Sequence, residues 1–407
     1  MFTLKSLITA LFLSLFIYLE YLNLTSYLLN TLFIIIAFCN IFVLSKKELF
    51  LTGFLTSILW FWWIGYSFIY YDLIYLIPAV LIGIGVVYGV LFYIIGLLNN
   101  IFYKLIYIFL LSFLEPFGFN WFKFELPFVY SYIGSSKIEF FVFITTTAFF
   151  IFIKQKEKLN IAIITYIIPI MLLIYYNSTN LANKLNTNSG LKILMNETNI
   201  DQDKKWKIEY KSEIVEKNFQ DINKAVANGY EIIIFPETSF PLVLNSNGEI
   251  KNRLIQRSYD ISIVLGSLYE KEGLYYNSTY MFQKGKMEVA HKVVLVPFGE
   301  AVPMPEKIRN WINDMFYDGA KDYEVAESPT TFNIKGTKFR NAICYEATTD
   351  IIYDNIDTNF VIATSNNAWF TPSIEPSLQK ILLQYYANKY DLTIYSVTNK
   401  SKSGIIR

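Results

Sequence analysis

Residues 159–195 read LNIAIITYIIPIMLLIYY, then NSTNLANKLNTNSG, then LKILM, and the change of character along them decides the architecture. The first part, 159–176, carries no charge and is close to the ~20 residues that a spanning helix needs. The second, 177–190, is rich in Asn, Ser and Thr and reads as a linker. The third, 191–195, is short, apolar and bounded by a glycine, as a strand is. A membrane-embedded half ends here and an α/β half begins.

Upstream, six more apolar stretches precede the linker, at 7–22, 26–44, 50–70, 73–98, 101–117 and 138–153. The composition agrees: 54% of the 407 residues are hydrophobic and only 17% charged, too apolar for an ordinary soluble chain. The first stretch is not a cleaved leader, because six more follow and no small-residue cleavage site stands after it. Lys5 precedes the first stretch, and alternate loops hold Lys46 and Lys47, then Lys104, then Lys154, Lys156 and Lys158. The opposite loops hold Tyr71 and Asp72, then Lys123, Glu125 and Lys137. Lysine-rich loops stay in the cytoplasm, so the N-terminus is expected inside and everything after residue 176 outside. In a bacterium with two membranes that is the periplasm.

Within the apolar half, Gly85 and Gly89 sit four apart in one stretch, a spacing that lets helices approach closely. Glu139 is expected at the membrane interface. Glu115 is left between that reading and a headgroup contact. The run Gly118-Phe119-Asn120-Trp121, with Phe122, Phe124, Phe128, Tyr130 and Tyr132 after it, suits an interfacial aromatic belt at least as well as a substrate-binding loop.

Downstream, strands are expected at 231–235, 261–267, 278–283, 338–343, 359–364 and 393–397, with helices at 212–228 and 376–390. That alternation indicates an α/β domain. The net charge of +1 points to no nucleic-acid partner. One histidine and two distant cysteines exclude His-rich and zinc-type metal sites.

Three short motifs in this half carry chemistry. Ile234-Phe235-Pro236-Glu237-Thr238-Ser239-Phe240-Pro241 runs from a strand into a proline-bounded turn that holds a carboxylate. His291-Lys292-Val293-Val294-Leu295-Val296-Pro297-Phe298-Gly299-Glu300 presents a lysine and a second carboxylate around an apolar run. Asn341-Ala342-Ile343-Cys344-Tyr345-Glu346 holds a lone cysteine in a compartment expected to be oxidising. Singly, each is ordinary. Together they suit covalent acyl transfer, with Cys344 as nucleophile and Glu237 as its base. Lys292 and a backbone N–H would stabilise the oxyanion, with Glu300 and Glu346 holding Lys292 and its loops. A Cys–His pair fits less well, because His291 should point away if Lys292 points in.

These motifs resemble those of the nitrilase, or carbon–nitrogen hydrolase, superfamily, and more closely those of the apolipoprotein N-acyltransferase family. KVVLVPFGEAVP at 292–303 is the most specific stretch, supported by Ile343 to Glu346 and by Ser365-Asn366-Asn367-Ala368-Trp369-Phe370. Asn196 to Trp206 looks like the opening of the family's soluble domain; Trp63 to Ser67 and Gly118 to Trp121 are less specific likenesses. The resemblance implies a multi-span α-helical membrane domain (1–176), the linker, and an α/β nitrilase-like αββα sandwich (191–407). It implies a Glu237–Lys292–Cys344 triad, with Glu300, Tyr345, Glu346, Trp206 and Trp369 as supporting or substrate-binding residues. The implied reaction moves an acyl chain from a phospholipid to Cys344. The chain then passes to the α-amine of the lipid-modified N-terminal cysteine of an apolipoprotein, at the inner membrane. Phospholipid, apolipoprotein and membrane lipids are the implied partners, and no metal or soluble cofactor is implied.

The chain departs from the family pattern in places. Asn367 stands where Asp is usual and Thr371 where Gly is usual, and no histidine follows Trp369. Lys389 and Ser396 replace an acidic residue and an arginine. The chain stops at Arg407, before the further strands and final spanning helix that the family carries. The competing expectations are a membrane-anchored amidase that releases its acid to water, and an inactive scaffold.

Overall fold

The computed structural model describes residues 4–183, 188–316 and 322–407. The chain forms two compact units, residues 1–185 with 372–385 and residues 186–371 with 386–407.

The first unit contains α1 (Leu4–Tyr21), α2 (Tyr27–Val43), α3 (Lys46–Phe61), α4 (Gly65–Ile69), α5 (Ile77–Leu97), α6 (Ile101–Leu111), α7 (Lys137–Lys154) and α8 (Leu159–Asn183). Every one of the seven apolar stretches is helical. Among the described residues five helical segments are long and apolar enough to cross a membrane: Leu4–Tyr21, Lys46–Ile69, Ile74–Leu97, Ile101–Gly118 and Leu159–Thr179. Of the other two, α2 has 17 residues. The 18 residues of α7 include Lys137, Glu139 and Lys154. Helix α8 continues to Asn183, so residues 177–183 are helical where the sequence suggested a linker; residues 184–187 of that linker lie outside the described residues.

The two glycines of α5 do what their spacing suggests. A Cβ on Gly85 would stand 2.6 Å from the Phe54 ring of α3, and one on Gly89 2.9 Å from the Phe50 ring. The absence of side chains at these positions lets α3 and α5 meet closely.

The aromatic run, read as an interfacial belt or a substrate-binding loop, is largely buried, with Tyr132 exposed. Trp121, Phe122, Phe124 and Phe128 are all buried. Phe122 packs on Tyr88 (ring centroids 4.4 Å apart) and on Trp60 (4.8 Å), while Phe128 packs on Phe143 (5.1 Å). Non-helical backbone in an apolar bundle is stable only where protein surrounds it and satisfies its polar groups. Glu139, expected at the interface, is buried in the first turn of α7, where its carboxylate accepts from Ser136 N at 2.8 Å and completes the capping box. Glu115 pairs with Lys123 at 3.1 Å.

The second unit contains α9 (Gln202–Lys205), α10 (Ile208–Ala227), α11 (Gly248–Arg257), α12 (Glu306–Phe316) and the end of α13 (Glu375–Tyr390). Its strands are β1 (Ile193–Met195), β2 (Ile232–Ile234), β3 (Ser262–Lys271), β4 (Leu274–Gln283), β5 (Lys286–His291), β6 (Thr331–Ile334), β7 (Thr337–Ile343), β8 (Phe360–Asn366), β9 (Thr393–Asn399) and β10 (Gly404–Ile406). They form two five-stranded sheets, β1-β2-β3-β4-β5 and β10-β9-β8-β7-β6. Strands β1, β2 and β3 are parallel, as are β7, β8 and β9; β4, β5, β6 and β10 pair antiparallel with their neighbours.

Alternation along the strands builds the layers. Ile233, Ile263, Leu265, Tyr280 and Phe282 face one way and bury Val215, Phe219, Ile222 and Ala225 of α10 and Leu254 of α11. The alternate residues, Ile232, Ile234, Val264, Met281 and Ala290, face the other way. They meet Phe332, Ile334, Phe339, Ile362, Tyr395 and Val397 of the second sheet. Each such side chain contributes about 1.5–3 kcal/mol on burial. The result is the nitrilase-like α/β sandwich that the sequence suggested.

Strands β5, β6 and β10 and helices α11 and α12 were not evident from the sequence. In β5 only Ala290 is fully buried, so its apolar period is faint. Its hairpin did carry a signal. Gln283 pairs with Lys286 around Lys284-Gly285, whose φ values of +49° and +78° suit a primed turn.

Candidate active site

The polar groups of the second unit converge where β2, β5, β7 and β8 end. Ligand sites of α/β sheets favour the C-terminal ends of parallel strands. Glu237 lies three residues beyond β2, Lys292 directly follows β5, Cys344 directly follows β7, and Asn366 closes β8.

Glu237 is buried and held at both oxygens. Its Oε1 accepts from Asn277 Nδ2 at 2.7 Å, and its Oε2 accepts from the backbone N of Asn366 at 2.9 Å. The second bond joins the two sheets. A carboxylate has about four acceptor positions, so Glu237 keeps capacity to take a proton.

Lys292 is fully buried between two carboxylates. Its Nζ stands 2.6 Å from Glu300 Oε2 and 3.8 Å from Glu237 Oε1. Burial works against its charge, but Glu300, Glu237 and Cys344 outweigh burial and hold its pKa above the ordinary lysine value. The side chain is therefore a fixed cation at neutral pH.

Glu300 reaches Lys292 because residues 296–301 fold back on themselves. Glu300 N donates to Val296 O at 2.9 Å and Val296 N donates to Glu300 Oε2 at 2.9 Å. The amide of Asn277 bridges the two glutamates, donating to Glu300 Oε1 at 2.9 Å as well as to Glu237.

Glu346 acts on the same lysine through the backbone. Its Oε2 accepts from Val293 N at 2.7 Å and Val294 N at 3.2 Å, and its Oε1 accepts from Ile343 N at 2.7 Å. It thereby ties the residues after Lys292 to the residue before Cys344. Burial pushes its carboxyl up to about 7, against the pull of Lys292 and of these N–H groups. Glutamine at 346 would set an NH2 group against one or more of the N–H donors. We expect Glu346→Gln to lower unfolding stability by about 1–3 kcal/mol, read by thermal melts; an unchanged melt would show that these bonds are dispensable.

Cys344 is half-buried and opens a short 3-10 turn, Cys344–Thr348, with φ of +54°. A non-glycine residue in this left-handed region carries local strain of order 1–3 kcal/mol, a feature that clusters at functional sites. Thr238, next to Glu237, shares the feature with φ of +47°. At Lys292 the charges of Glu300, Glu237 and Cys344 outweigh burial, whereas at Lys205 burial outweighs those of Glu237 and Cys344 and brings the pKa down to about 7.

The structure thus brings Glu237, Lys292, Glu300, Cys344 and Glu346 together. Tyr345 is buried in the turn beside Cys344. Trp206 is half-buried at the end of α9, its ring 5.8 Å from Lys211 Nζ, and Trp369 is half-buried in the turn after β8. His291 turns away as expected: its Nδ1 is 2.7 Å from Ser278 Oγ, and its ring lies against Tyr269 and Tyr276.

Asn277 was not named in the sequence analysis, and Asn366 and Lys205 stood there only inside longer family-like stretches, with no role of their own. Asn277 did leave a signal. It shares strand parity with Met281, so an amide falls on the face that lines the core between the sheets. Asn366 belongs to a chain of amides, donating from Nδ2 to Gln202 Oε1 and accepting from Asn399 Nδ2 at 2.8 Å. Asn399 also accepts from Ile200 N at 2.9 Å, which anchors the segment leading into α9.

Such a sandwich and site define a protein of the carbon–nitrogen hydrolase class, and residues 200–397 match the carbon-nitrogen hydrolase family. Residues 1–175 match the apolipoprotein N-acyltransferase integral membrane domain. An apolipoprotein N-acyltransferase of Wolinella succinogenes is 41% identical over 98% of this chain and 95% of its own length. One of Helicobacter hepaticus is 35% identical over 93% and 94%, and one of Helicobacter pylori is 34% identical over 89% and 83%. The chain belongs to the apolipoprotein N-acyltransferase family, and is a bacterial membrane protein with acyltransferase chemistry.

Proposed function

We propose that this protein transfers an acyl chain from a phospholipid, through a thioester on Cys344, to the α-amine of the S-diacylglyceryl cysteine of apolipoproteins. The observation that carries this reading is the cluster itself. A buried lysine between two carboxylates stands beside a strained cysteine, and the chain also carries membrane-spanning helices.

In the first half-reaction Glu237 takes the thiol proton as sulfur attacks the ester carbonyl. Lys292 faces the oxyanion of the tetrahedral intermediate. Collapse breaks the ester C–O bond, and the departing lysophospholipid oxygen receives the proton from Glu237. In the second, the acceptor amine attacks the thioester, the thiolate leaves, and Glu237 accepts the amine's proton and returns it to sulfur. Glu300, Tyr345 and Glu346 hold the groups, and Trp206 and Trp369 flank the approach of substrate. Both substrates are lipid-anchored, which gives a reason to join this domain to spanning helices. The distribution of lysines among the loops supports an inner-membrane protein whose second unit faces the periplasm.

The test is intact mass spectrometry after incubation with phospholipid in detergent. Wild type should gain an acyl adduct labile to hydroxylamine, and Cys344→Ala should gain none. Folded wild-type protein without an adduct would sink the thioester route. Lysophospholipid released equally with and without apolipoprotein would instead indicate hydrolysis to water.

A further inference from the structure

The turn that Cys344 opens is fastened on both sides of the cysteine. A residue in left-handed backbone persists only where its surroundings over-determine it, and Cys344 is such a residue. Ahead of it, Ile343 N donates to Glu346 Oε1 at 2.7 Å. Behind it, three successive carbonyls each accept a hydroxyl. Tyr345 O accepts from Thr348 Oγ1 at 2.6 Å, Glu346 O from Thr349 Oγ1 at 2.7 Å, and Ala347 O from Tyr353 Oη at 2.5 Å. The two threonine bonds are local, of a kind that helical turns commonly make. The Tyr353 bond comes from outside the turn. Tyr353 is 1% exposed, and its ring stacks on Tyr386 (centroids 4.8 Å apart, 8° between planes) and on Tyr390 (5.2 Å, 14°), at the end of α13. Tyr390 Oη donates to Asp350 Oδ1 at 2.9 Å, and Tyr353 N donates to Asp350 O at 2.9 Å. A ring held between its own backbone bond and two stacked neighbours has little freedom, so its hydroxyl is aimed at one carbonyl.

We propose that Tyr353 is a positioning residue for acyl transfer: its hydroxyl on Ala347 O, aligned by the stack with Tyr386 and Tyr390, fixes the turn that presents Cys344. This rests on Cys344 being the nucleophile. The sulfur must attack an ester in one half-reaction and leave a thioester in the other, so its place relative to Glu237 and Lys292 has to hold through both. A displacement of about 1 Å of a reacting group can cost 10²-fold in rate. Tyr353 is buried beneath the turn and acts on the sulfur only through the backbone. Its loss therefore falls on the rate of the chemical step and leaves the concentration dependence on phospholipid unchanged.

The experiment is single-turnover acylation of Cys344 in the full-length protein in detergent, followed by intact mass at a series of phospholipid concentrations. Tyr353→Phe keeps the ring and removes the hydroxyl. It should lower the rate at saturating phospholipid by about tenfold or more, with the half-saturating concentration within about twofold of wild type. Tyr390→Phe is the control: it loses a hydroxyl from the same stack without touching the turn, and should acylate as wild type does. Folded Tyr353→Phe with a saturating rate within about twofold of wild type would overturn the proposal, leaving Tyr353 a prop of the fold that shows only in the melt. Should Tyr353→Phe fail to fold, Tyr390→Leu decides, since it takes a half-buried ring away from Tyr353. About threefold slower acylation there sustains the proposal, and the wild-type rate overturns it. If wild type itself forms no adduct, the thioester reading fails, and iodoacetamide labelling of Cys344, which needs no lipid, decides the place of Tyr353. A labelling rate changed by about threefold or more in Tyr353→Phe but not in Tyr390→Phe keeps its hold on the Cys344 turn, and equal rates overturn it.

Discussion

Lys292→Met lowers the rate of phospholipid deacylation by about 10²–10³-fold, the size of effect seen when one preorganised donor to an oxyanion is lost. Methionine keeps the unbranched stem, one atom shorter, and removes the cation. Glu237 and Glu300 would then share the Asn277 amide with no positive charge between them. Removing one partner from a buried ion pair leaves an uncompensated charge, so stability should also fall by about 3–5 kcal/mol. The two losses can be separated. In Lys292→Met with Glu300→Gln, the stranded charge is neutralised, so stability should recover much of the loss while the rate stays low. Thermal unfolding and single-turnover lysophospholipid release read the two quantities. A rate near wild type in the single variant would remove Lys292 from the chemistry.

Gly266→Ala should be nearly as damaging, although the residue carries no functional group. A Cβ there would stand 2.7 Å from Glu237 Cα and 2.8 Å from its carbonyl carbon, and closer still to Thr238 N. Those are backbone atoms, and Thr238 already sits in the left-handed region. The loop cannot retreat freely, because Phe240 N donates to Gly266 O at 3.1 Å and Gly266 N donates to Pro236 O at 3.3 Å. A displacement of about 1 Å of a reacting group can cost 10²-fold in rate, and overpacking of this kind costs about 1–3 kcal/mol. Gly248→Ala is the control: nothing lies within 4 Å of its would-be Cβ, and it opens α11. That variant should match wild type in both rate and melt. Wild-type activity in Gly266→Ala would mean that the Glu237 loop is not set by this contact.

Much of the site was visible in the chain because its chemistry is concentrated in three short segments. Glu237, Lys292 and Cys344 each follow a strand, and five of the eight residues singled out converge. The aromatic run after Gly118 left its surroundings undecided. Its composition suits a membrane interface as well as a packed interior, and burial of Trp121 to Phe128 was decided by the helices around them.

The sequence by itself determined the division into an apolar helical half and an α/β half, most of the strands, and the three motifs. Those follow from local composition and from the 3.6 and 2.0 periodicities, which need no distant partner. The tertiary structure alone decided that Asn366 would meet Glu237 across 129 positions of chain, that Asn277 would bridge two glutamates, and that a lysine from α9 would lie under the Glu237 loop. The first joins the two sheets, the second joins three segments of one sheet, and the third joins a helix to a loop. Each depends on packing between distant segments, and no window of residues along the chain contains both sides.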